Sequence, residues 1–166
     1  MSNGAGRDAT PTVRPTRGAP AAPENAPLSR VSHRVAFYQT DAMGIMHHAN
    51  YLHLLENARV RWLEEHHRSY AEYIQSERHF AVTRVDLSYR RAARFDEMLV
   101  TTVWVEWVRG VSLAMAYLVH CGDDLVAQGH TEHAMVNAAG RPTPIPAAER
   151  RELQALAARP DRPAAR

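Results

Sequence analysis

The sequence predicts an α+β domain in which one long helix packs on an antiparallel five-stranded sheet. A short apolar strand comes first, at 31–38. One amphipathic helix follows, and strand patterns then occupy most of the chain between residues 80 and 137. A run of strands after a single long helix is typical of an antiparallel sheet covered by that helix. The 166 residues suit one domain of this kind.

The two ends of the chain are predicted to lie outside this domain. Residues 1–29 are rich in Pro, Ala, Gly, Ser and Thr and hold almost no large apolar side chains. Such a segment cannot bury enough surface to offset its ordering entropy, so we expect a disordered tail. It has no apolar run of the secretory type. The predicted domain spans 30–158, and residues 159–166 are expected to fray.

The long helix is predicted over about 50–66 because its apolar residues recur at helical spacing. Asn50 is the expected N-cap residue. A second, shorter helix is expected at 69–76, and an Arg-, Glu- and Ala-rich helix at 147–158. The apolar positions of the long helix are Tyr51, Leu54, Leu55, Ala58, Trp62 and Leu63.

Four strands are predicted after the helices, at 80–90, 98–108, 111–120 and 125–137. Alternation in the first of these places Val82 on the face opposite Val85. Trp104 and Trp107 are likewise expected on opposite faces of one strand, which indicates a sheet buried on both sides. Because one helix leaves a face or an edge of such a sheet uncovered, we expect a homodimer or a homotetramer.

The composition narrows the class of function. The formal net charge is +2, and residues 1–30 account for it with four Arg against Asp8 and Glu24, so no nucleic-acid partner is expected. No stretch approaches the roughly 20 apolar residues of a membrane span. The single Cys121 fits a reducing compartment and predicts a cytoplasmic protein. The histidines show no metal-ligand spacing, so neither metal nor other cofactor is expected.

The segment 38–51 carries the chemistry. It places the carboxylate of Asp41 shortly before a turn that opens the long helix. Thioester hydrolysis needs a carboxylate that attacks the carbonyl carbon or activates water, together with dipoles that hold the oxyanion. Backbone N–H groups at a helix start supply such dipoles. Gly44 lets the chain bend and lets a substrate approach closely. The competing interpretation is an ordinary loop aspartate.

Four ordered motifs resemble the hotdog-fold acyl-CoA thioesterases of the 4-hydroxybenzoyl-CoA thioesterase type, over about residues 31–140. The first motif combines 40–44 with 48–51, and the second is Glu56 with 58–59. The third is 89–92 with Asp96, and the fourth is 109–113. The resemblance implies a helix on a curved five-stranded sheet and an enzyme that hydrolyses acyl-CoA without a cofactor.

The resemblance also implies roles for particular residues. Asp41 is the implied nucleophile or general base, and a backbone N–H near His47 polarises the thioester carbonyl. His48 orients or assists the reaction. Glu56 is a reserve catalytic acid, although a salt bridge with Arg59 is the simpler role. The implied substrate-binding residues are Gly44, Asn50, Tyr51, Arg90, Arg91 and Ser112.

Other functions stay open from the sequence. A hydratase or dehydratase on the same fold would pair a histidine with an acid and would not require the Asp41 segment. A non-catalytic module that binds acyl-CoA or acyl-carrier protein would gain little from an acid beside a carbonyl. The arginines suit the phosphates of CoA but equally suit solvated ion pairs. The acyl group cannot be read from the sequence, nor can the choice between CoA and carrier-protein thioesters.

Overall fold

The computed structural model of the protein describes residues 21–159. Within this range a five-stranded sheet is covered by helices, with element order β1, α1, α2, β2, β3, β4, β5 and α3. The strands are β1 Ser29–Arg34, β2 Arg78–Tyr89, β3 Met98–Arg109, β4 Ser112–Cys121 and β5 Asp124–Asn137. The helices are α1 Asn50–His66, α2 Tyr70–Gln75 and α3 Ala147–Leu156, and a short 3-10 helix spans Phe37–Gln39.

The sheet has the order β1-β3-β4-β5-β2, and every neighbouring pair is antiparallel. This is the predicted α+β hotdog arrangement. The apolar stripe of α1 packs on the sheet, and its Ala58 and Trp62 are fully buried. The 12-residue β2 forms one edge of the sheet, so one side of its backbone has no neighbouring strand among residues 21–159.

The predicted elements agree with the structure except at the first strand. The long helix and the four later strands fall within about two residues of the predicted bounds. The first strand was predicted to reach Tyr38, but β1 ends at Arg34 and the chain turns into the 3-10 helix. The physical cause is Gln39, whose side chain is buried and accepts a hydrogen bond from the Ala36 N–H at 2.9 Å.

Two β-bulges overturn the predicted strand faces. The register skips Thr83 in β2, so Val82 and Val85 pair with His133 and Thr131 on the same face of the sheet. Simple alternation had put the two valines on opposite faces. An extra residue within a strand reverses the alternation beyond it.

The second bulge has the same effect on the tryptophans of β3. The register skips Glu106, so Trp104 and Trp107 pair with Ala116 and Ala114 and share one face. The prediction of opposite faces was therefore wrong. The sheet is nevertheless buried on both faces at β3, where every residue from Leu99 to Val105 is buried.

The ordered chain begins earlier than predicted. Residues 1–20 and 160–166, which hold most of the expected disordered ends, lie outside the described residues. The predicted tail reaches too far, however, because Ser29 is buried as the first residue of β1 and hydrogen-bonds the carboxylate of Glu65. The indole N–H of Trp62 donates to the carbonyl of Pro27 at 2.9 Å. Between residues 21 and 159, no helix has the length and apolar character to cross a membrane.

Candidate active site

The loop between the 3-10 helix and α1 is a tight turn centred on Asp41. The Asp41 N–H donates to the carbonyl of Ile45, and the Gly44 N–H donates to the carbonyl of Asp41, both at 2.9 Å. Gly44 has φ +70°, a conformation that side chains other than that of glycine rarely adopt. The glycine is therefore required by the turn itself.

The carboxylate of Asp41 belongs both to this turn and to a cavity. Its Oδ1 accepts a hydrogen bond from the Met43 N–H at 2.8 Å, as expected of a loop aspartate. The same half-buried side chain lines the cavity at the start of α1. The loop role and the site role are thus compatible, because the turn fixes the carboxylate where the cavity opens.

The backbone amide available at this helix start belongs to His48. The sequence predicts that a backbone N–H near His47 polarises the carbonyl. The N–H of His47 itself is occupied, because it donates to the carbonyl of Gln39 at 2.8 Å. The next amides, of Ala49 and Asn50, point back to the ring and the carbonyl of His47. Among the described residues, the His48 N–H has no acceptor. It is therefore the free donor, one residue beyond His47.

Asn50 holds the loop against the helix instead of capping it. It is the first residue of α1, and the N-cap position is Ala49, whose side chain makes no capping bond. The Asn50 side-chain amide donates to the Gln39 carbonyl at 2.9 Å, the same oxygen that accepts from His47. The prediction of an Asn50 N-cap was therefore wrong, and its contact positions the helix start.

The cavity has a volume of about 340 Å³ and gathers half of the predicted site residues. Asp41, His48, Tyr51, Arg90 and Arg91 all line it. The predicted Gly44, His47 and Asn50 belong to its loop framework without lining the cavity. Its full lining is Asp41, Met43, Ile45, Met46, His48, Tyr51, Tyr89, Arg90, Arg91 and Ala92.

Two tyrosines form one wall of the cavity. Tyr51 and Tyr89 meet edge to face with ring centroids 5.1 Å apart. The Tyr89 hydroxyl donates to the carbonyl of His48 at 3.3 Å, which links the end of β2 to the helix start. Burial raises the pKa of Tyr51 above its ordinary value, so its hydroxyl stays protonated at neutral pH.

The two cavity arginines differ in their partners. Arg91 makes a bidentate pair with Glu97, with nitrogen–oxygen distances of 2.7 and 3.0 Å, and also approaches Asp124 at 3.4 Å. This hydrogen bonding raises the pKa of Arg91 and lowers that of Glu97. Arg90 is exposed and has no ion pair within the described part of the chain. Arg90 is therefore free to meet a phosphate, whereas Arg91 stabilises the loop.

Two predicted residues lie elsewhere in the chain. Ser112 starts β4 opposite Arg109, at the end of the sheet remote from Tyr89, so within one chain it does not reach the cavity. Glu56 lies on α1 beyond the cavity and makes the expected i, i+3 pair with Arg59 at 3.5 Å. Because Glu56 does not line the cavity that holds Asp41, its position does not support a reserve catalytic role.

Several lining residues were missed from the sequence. Tyr89 shares its strand face with Leu87 and Val85, so alternation alone pointed it toward the helix. Loops without periodicity supply four more lining residues, which only the loop geometry reveals: Met43, Ile45, Met46 and Ala92.

In residues 21–159, no cluster of three or more His, Cys, Asp or Glu side chains could hold a metal ion.

Comparison with known proteins identifies the class that this fold and site define. Residues 35–156 match the family model of the thioesterase-like superfamily, and the chain belongs to that family. It is 35% identical over 89 residues to an Escherichia coli protein named acyl-CoA thioester hydrolase YbgC, covering 54% of this chain and 66% of that protein. It is 29% identical over 103 residues to a putative esterase of Aquifex aeolicus, covering 62% and 80% of the two chains.

Two solved structures that are similar to this chain are also described as thioesterases. A thioesterase of Thermus thermophilus, described as complexed with coenzyme A and Zn, superimposes with a TM-score of 0.70 at 29% identity, covering 82% of this chain and 98% of that one. A gentisyl-coenzyme A thioesterase aligns with a TM-score of 0.70 at 21% identity, over 75% and 99% of the two chains, and shows the shared fold alone.

Proposed function

We propose that the protein is an acyl-CoA thioesterase that hydrolyses a thioester to a free carboxylic acid and CoA. The observation that carries this proposal is that one cavity at the start of α1 is lined both by Asp41 and by His48, whose backbone N–H has no acceptor among the described residues. A thioesterase needs a base or nucleophile and an oxyanion donor, and this cavity offers both. Membership of the thioesterase-like superfamily supports the same chemistry.

The proposed reaction uses Asp41 in one of two ways. Its carboxylate attacks the thioester carbonyl carbon, forms a mixed anhydride and expels the CoA thiolate, after which water hydrolyses the anhydride. Alternatively it accepts a proton from a water molecule that attacks the same carbon directly, and the tetrahedral intermediate then expels the CoA thiolate, which takes up a proton. In both cases the His48 N–H, supported by the positive end of the α1 dipole, stabilises the oxyanion. The side chain of His48 orients the substrate, and that of His47 packs on it with ring centroids 4.1 Å apart.

A substrate screen tests this function. Purified protein is incubated with aliphatic and aromatic acyl-CoAs and the released thiol is measured, with acyl-carrier-protein thioesters tested in parallel. We expect turnover of at least one acyl-CoA without added metal. A chain that hydrolyses none of these thioesters would contradict the proposal.

A cytoplasmic location is part of the proposal and rests on the single Cys121.

The two arginines should separate in mutant kinetics. Arg90→Ala is expected to raise KM for acyl-CoA roughly three- to tenfold with little change in kcat, because a phosphate contact far from the reacting carbon acts by uniform binding. Arg91→Ala should instead lower the free energy of unfolding by about 1 kcal/mol, because Glu97 loses its bidentate partner. The measurements are steady-state kinetics and urea unfolding. A truncated thioester without the nucleotide is the control, and equal KM effects on both substrates would reject Arg90 as a phosphate ligand.

A homodimer is the proposed assembly, and a tetramer of such dimers is compatible with it. The 12-residue β2 is an edge strand whose side chains from Ala81 to Asp86 are all exposed in the single chain. Exposed edges of this length are normally paired or covered. We expect light scattering at micromolar concentration to give the mass of a dimer or tetramer. A stable monomer under those conditions would refute this assembly.

A further inference from the structure

A second cavity, which no step of the proposed reaction uses, lies farther along the groove between α1 and β2. Its volume is about 290 Å³. Its apolar walls come from Leu52 and Leu55 of α1 and from Val82 and Val85 of β2. Its remaining lining residues are Glu56, Arg59, Tyr117, Thr131 and His133. A cavity with apolar walls and a few polar groups at one end is the usual form of a site for a small ligand.

The cavity contains a buried guanidinium that lacks a full set of partners. The side chain of Arg59 is 6% exposed, and its Nη2 lies 3.5 Å from the Glu56 carboxylate, which is itself 62% exposed. The Arg59 Nη1 is buried and has no hydrogen-bond partner among the described residues. The guanidinium carries a positive charge. Leaving its N–H groups unpaired away from water is costly, so the position favours an added acceptor.

Three other polar side chains of the cavity are joined in a chain, although the Nδ1 of His133, like the Nη1 of Arg59, has no hydrogen-bond partner among the described residues. Tyr117 and Thr131 lie 2.9 Å apart, and Thr131 and His133 lie 2.7 Å apart, with all three side chains buried. Burial, reinforced by the charge of Arg59, lowers the pKa of His133 to about 3, so the imidazole is neutral. These groups therefore supply no charge that could balance Arg59. Among the described residues, the acid paired with Arg59 is the water-exposed Glu56, through one contact of 3.5 Å, and the ring of Tyr70 lies 5.6 Å from the guanidinium carbon.

The two cavities are lined from the same two elements, α1 and β2. Tyr51 of α1 lines the first cavity, and Leu55 and Arg59 line the second at i+4 and i+8, which is one face of the helix. On the strand side, Tyr89 lines the first cavity and Val85 the second on the same face of β2, and the bulge at Thr83 adds Val82 to that face.

We propose that the second cavity receives the far end of the acyl group and that Arg59 selects acyl groups that carry an oxygen acceptor there. This inference rests on the proposed thioesterase function and specifies the substrate class of the same site. An oxygen of a terminal carboxylate or hydroxyl would accept from Nη1 and complete the set of partners around the guanidinium. An unsubstituted alkyl end would leave that N–H unpaired.

The spacing sets the length of the acyl group. Glu56 lies eight residues beyond His48, which is about 12 Å along the helix axis. The contact with Glu56 holds the Arg59 guanidinium at this level, because long side chains lean toward the helix N-terminus. An extended chain advances roughly 1.3 Å per C–C bond. A chain of about eight carbons, a terminal oxygen and one hydrogen bond together span this distance.

The test compares three acyl-CoAs of one length: octanoyl-CoA, 8-hydroxyoctanoyl-CoA and suberoyl-CoA, which ends in a carboxylate. For the wild-type protein we expect kcat/KM for at least one oxygenated substrate to exceed that for octanoyl-CoA by roughly 10- to 100-fold, the range for a hydrogen bond to a charged group. The carboxylate and hydroxyl arms distinguish an anionic from a neutral acceptor. In Arg59→Met, which keeps an unbranched apolar stem but removes the guanidinium, this ratio should fall to near 1.

The matched control is Arg61→Met, on the same helix but with a side chain 57% exposed and paired to Glu65. It should keep the wild-type ratio. Because Arg59 is buried, thermal unfolding of each variant is measured as well, and the wild-type ratio tests the proposal even if Arg59→Met does not fold. Equal hydrolysis of all three substrates by the wild type would overturn this inference, because the partner of Arg59 would then be water. The thioesterase function would still stand. Hydrolysis of no acyl-CoA at all would overturn both.

Discussion

Asp41→Asn is expected to lower kcat by about two to four orders of magnitude, the scale for losing a positioned base or nucleophile. The substitution keeps the size of the side chain and its ability to accept the Met43 N–H, a bond of 2.8 Å that fixes the turn. It removes the negative charge and the basicity. Because the His48 amide and the cavity walls remain, KM should change little. Single-turnover and steady-state kinetics on one acyl-CoA measure both quantities.

Two further variants isolate the role of Asp41. His48→Ala should cost less than Asp41→Asn, because the proposed oxyanion donor is the backbone N–H, which alanine retains. Glu56→Gln should cost least, because Glu56 does not line the cavity that holds Asp41 and its side chain contacts Arg59. If Glu56→Gln abolished turnover while Asp41→Asn kept most of it, the catalytic carboxylate would lie on the helix and the assignment to Asp41 would be wrong. Circular dichroism of each variant confirms that the fold is retained.

The elements of the fold were predictable because each depends on local periodicity. The stripe from Tyr51 to Leu63 predicted α1 with the correct end at His66. The strand faces were less predictable, since a bulge is a property of the pairing between two strands. Nothing in the sequence of β2 marks Thr83 as the residue that its partner strand skips, yet this residue determines that Val82 faces the helix.

The candidate site was predictable only in its chemistry. The order of residues from Asp41 to Tyr51 indicated a carboxylate near a helix start, and the structure places Asp41 and His48 at one cavity. The free amide could not be predicted, because it depends on the Gln39 carbonyl, which accepts from both His47 and Asn50. Ion pairing also lay beyond the sequence. Arg90 and Arg91 are equivalent by position, and only the fold brings Glu97 to one of them.

A buried ionic network that joins α3 to the rest of the domain was likewise invisible in the sequence. Glu149, in the first turn of α3, is 2% exposed. Its carboxylate accepts from the Tyr73 hydroxyl at 2.8 Å and from Arg78 at 3.2 Å. The ring nitrogen Nδ1 of His67 lies 3.0 Å from the same hydroxyl. Burial lowers the pKa of His67 despite the nearby glutamates, so at neutral pH the cations that face Glu149 are Arg78 and, at 4.0 Å, Arg68.

Glu149→Ala is expected to lower the free energy of unfolding by about 3 kcal/mol, because it leaves the Tyr73 hydroxyl and the Arg78 guanidinium without their buried acceptor. Glu149→Gln should cost about half as much, since an amide oxygen still accepts from Tyr73 but carries no charge. Urea unfolding measures each change.

Glu152→Ala is the matched control. The side chain of Glu152 lies on the same helix, is 61% exposed and approaches His67 at 3.4 Å. Its loss should lower the free energy of unfolding by less than about 1 kcal/mol. If Glu149→Ala and Glu152→Ala lowered the free energy of unfolding by similar amounts, α3 would be held by its apolar face alone. A large difference would show that one buried carboxylate, in a helix whose composition is mostly polar, holds α3 against α2 and β2.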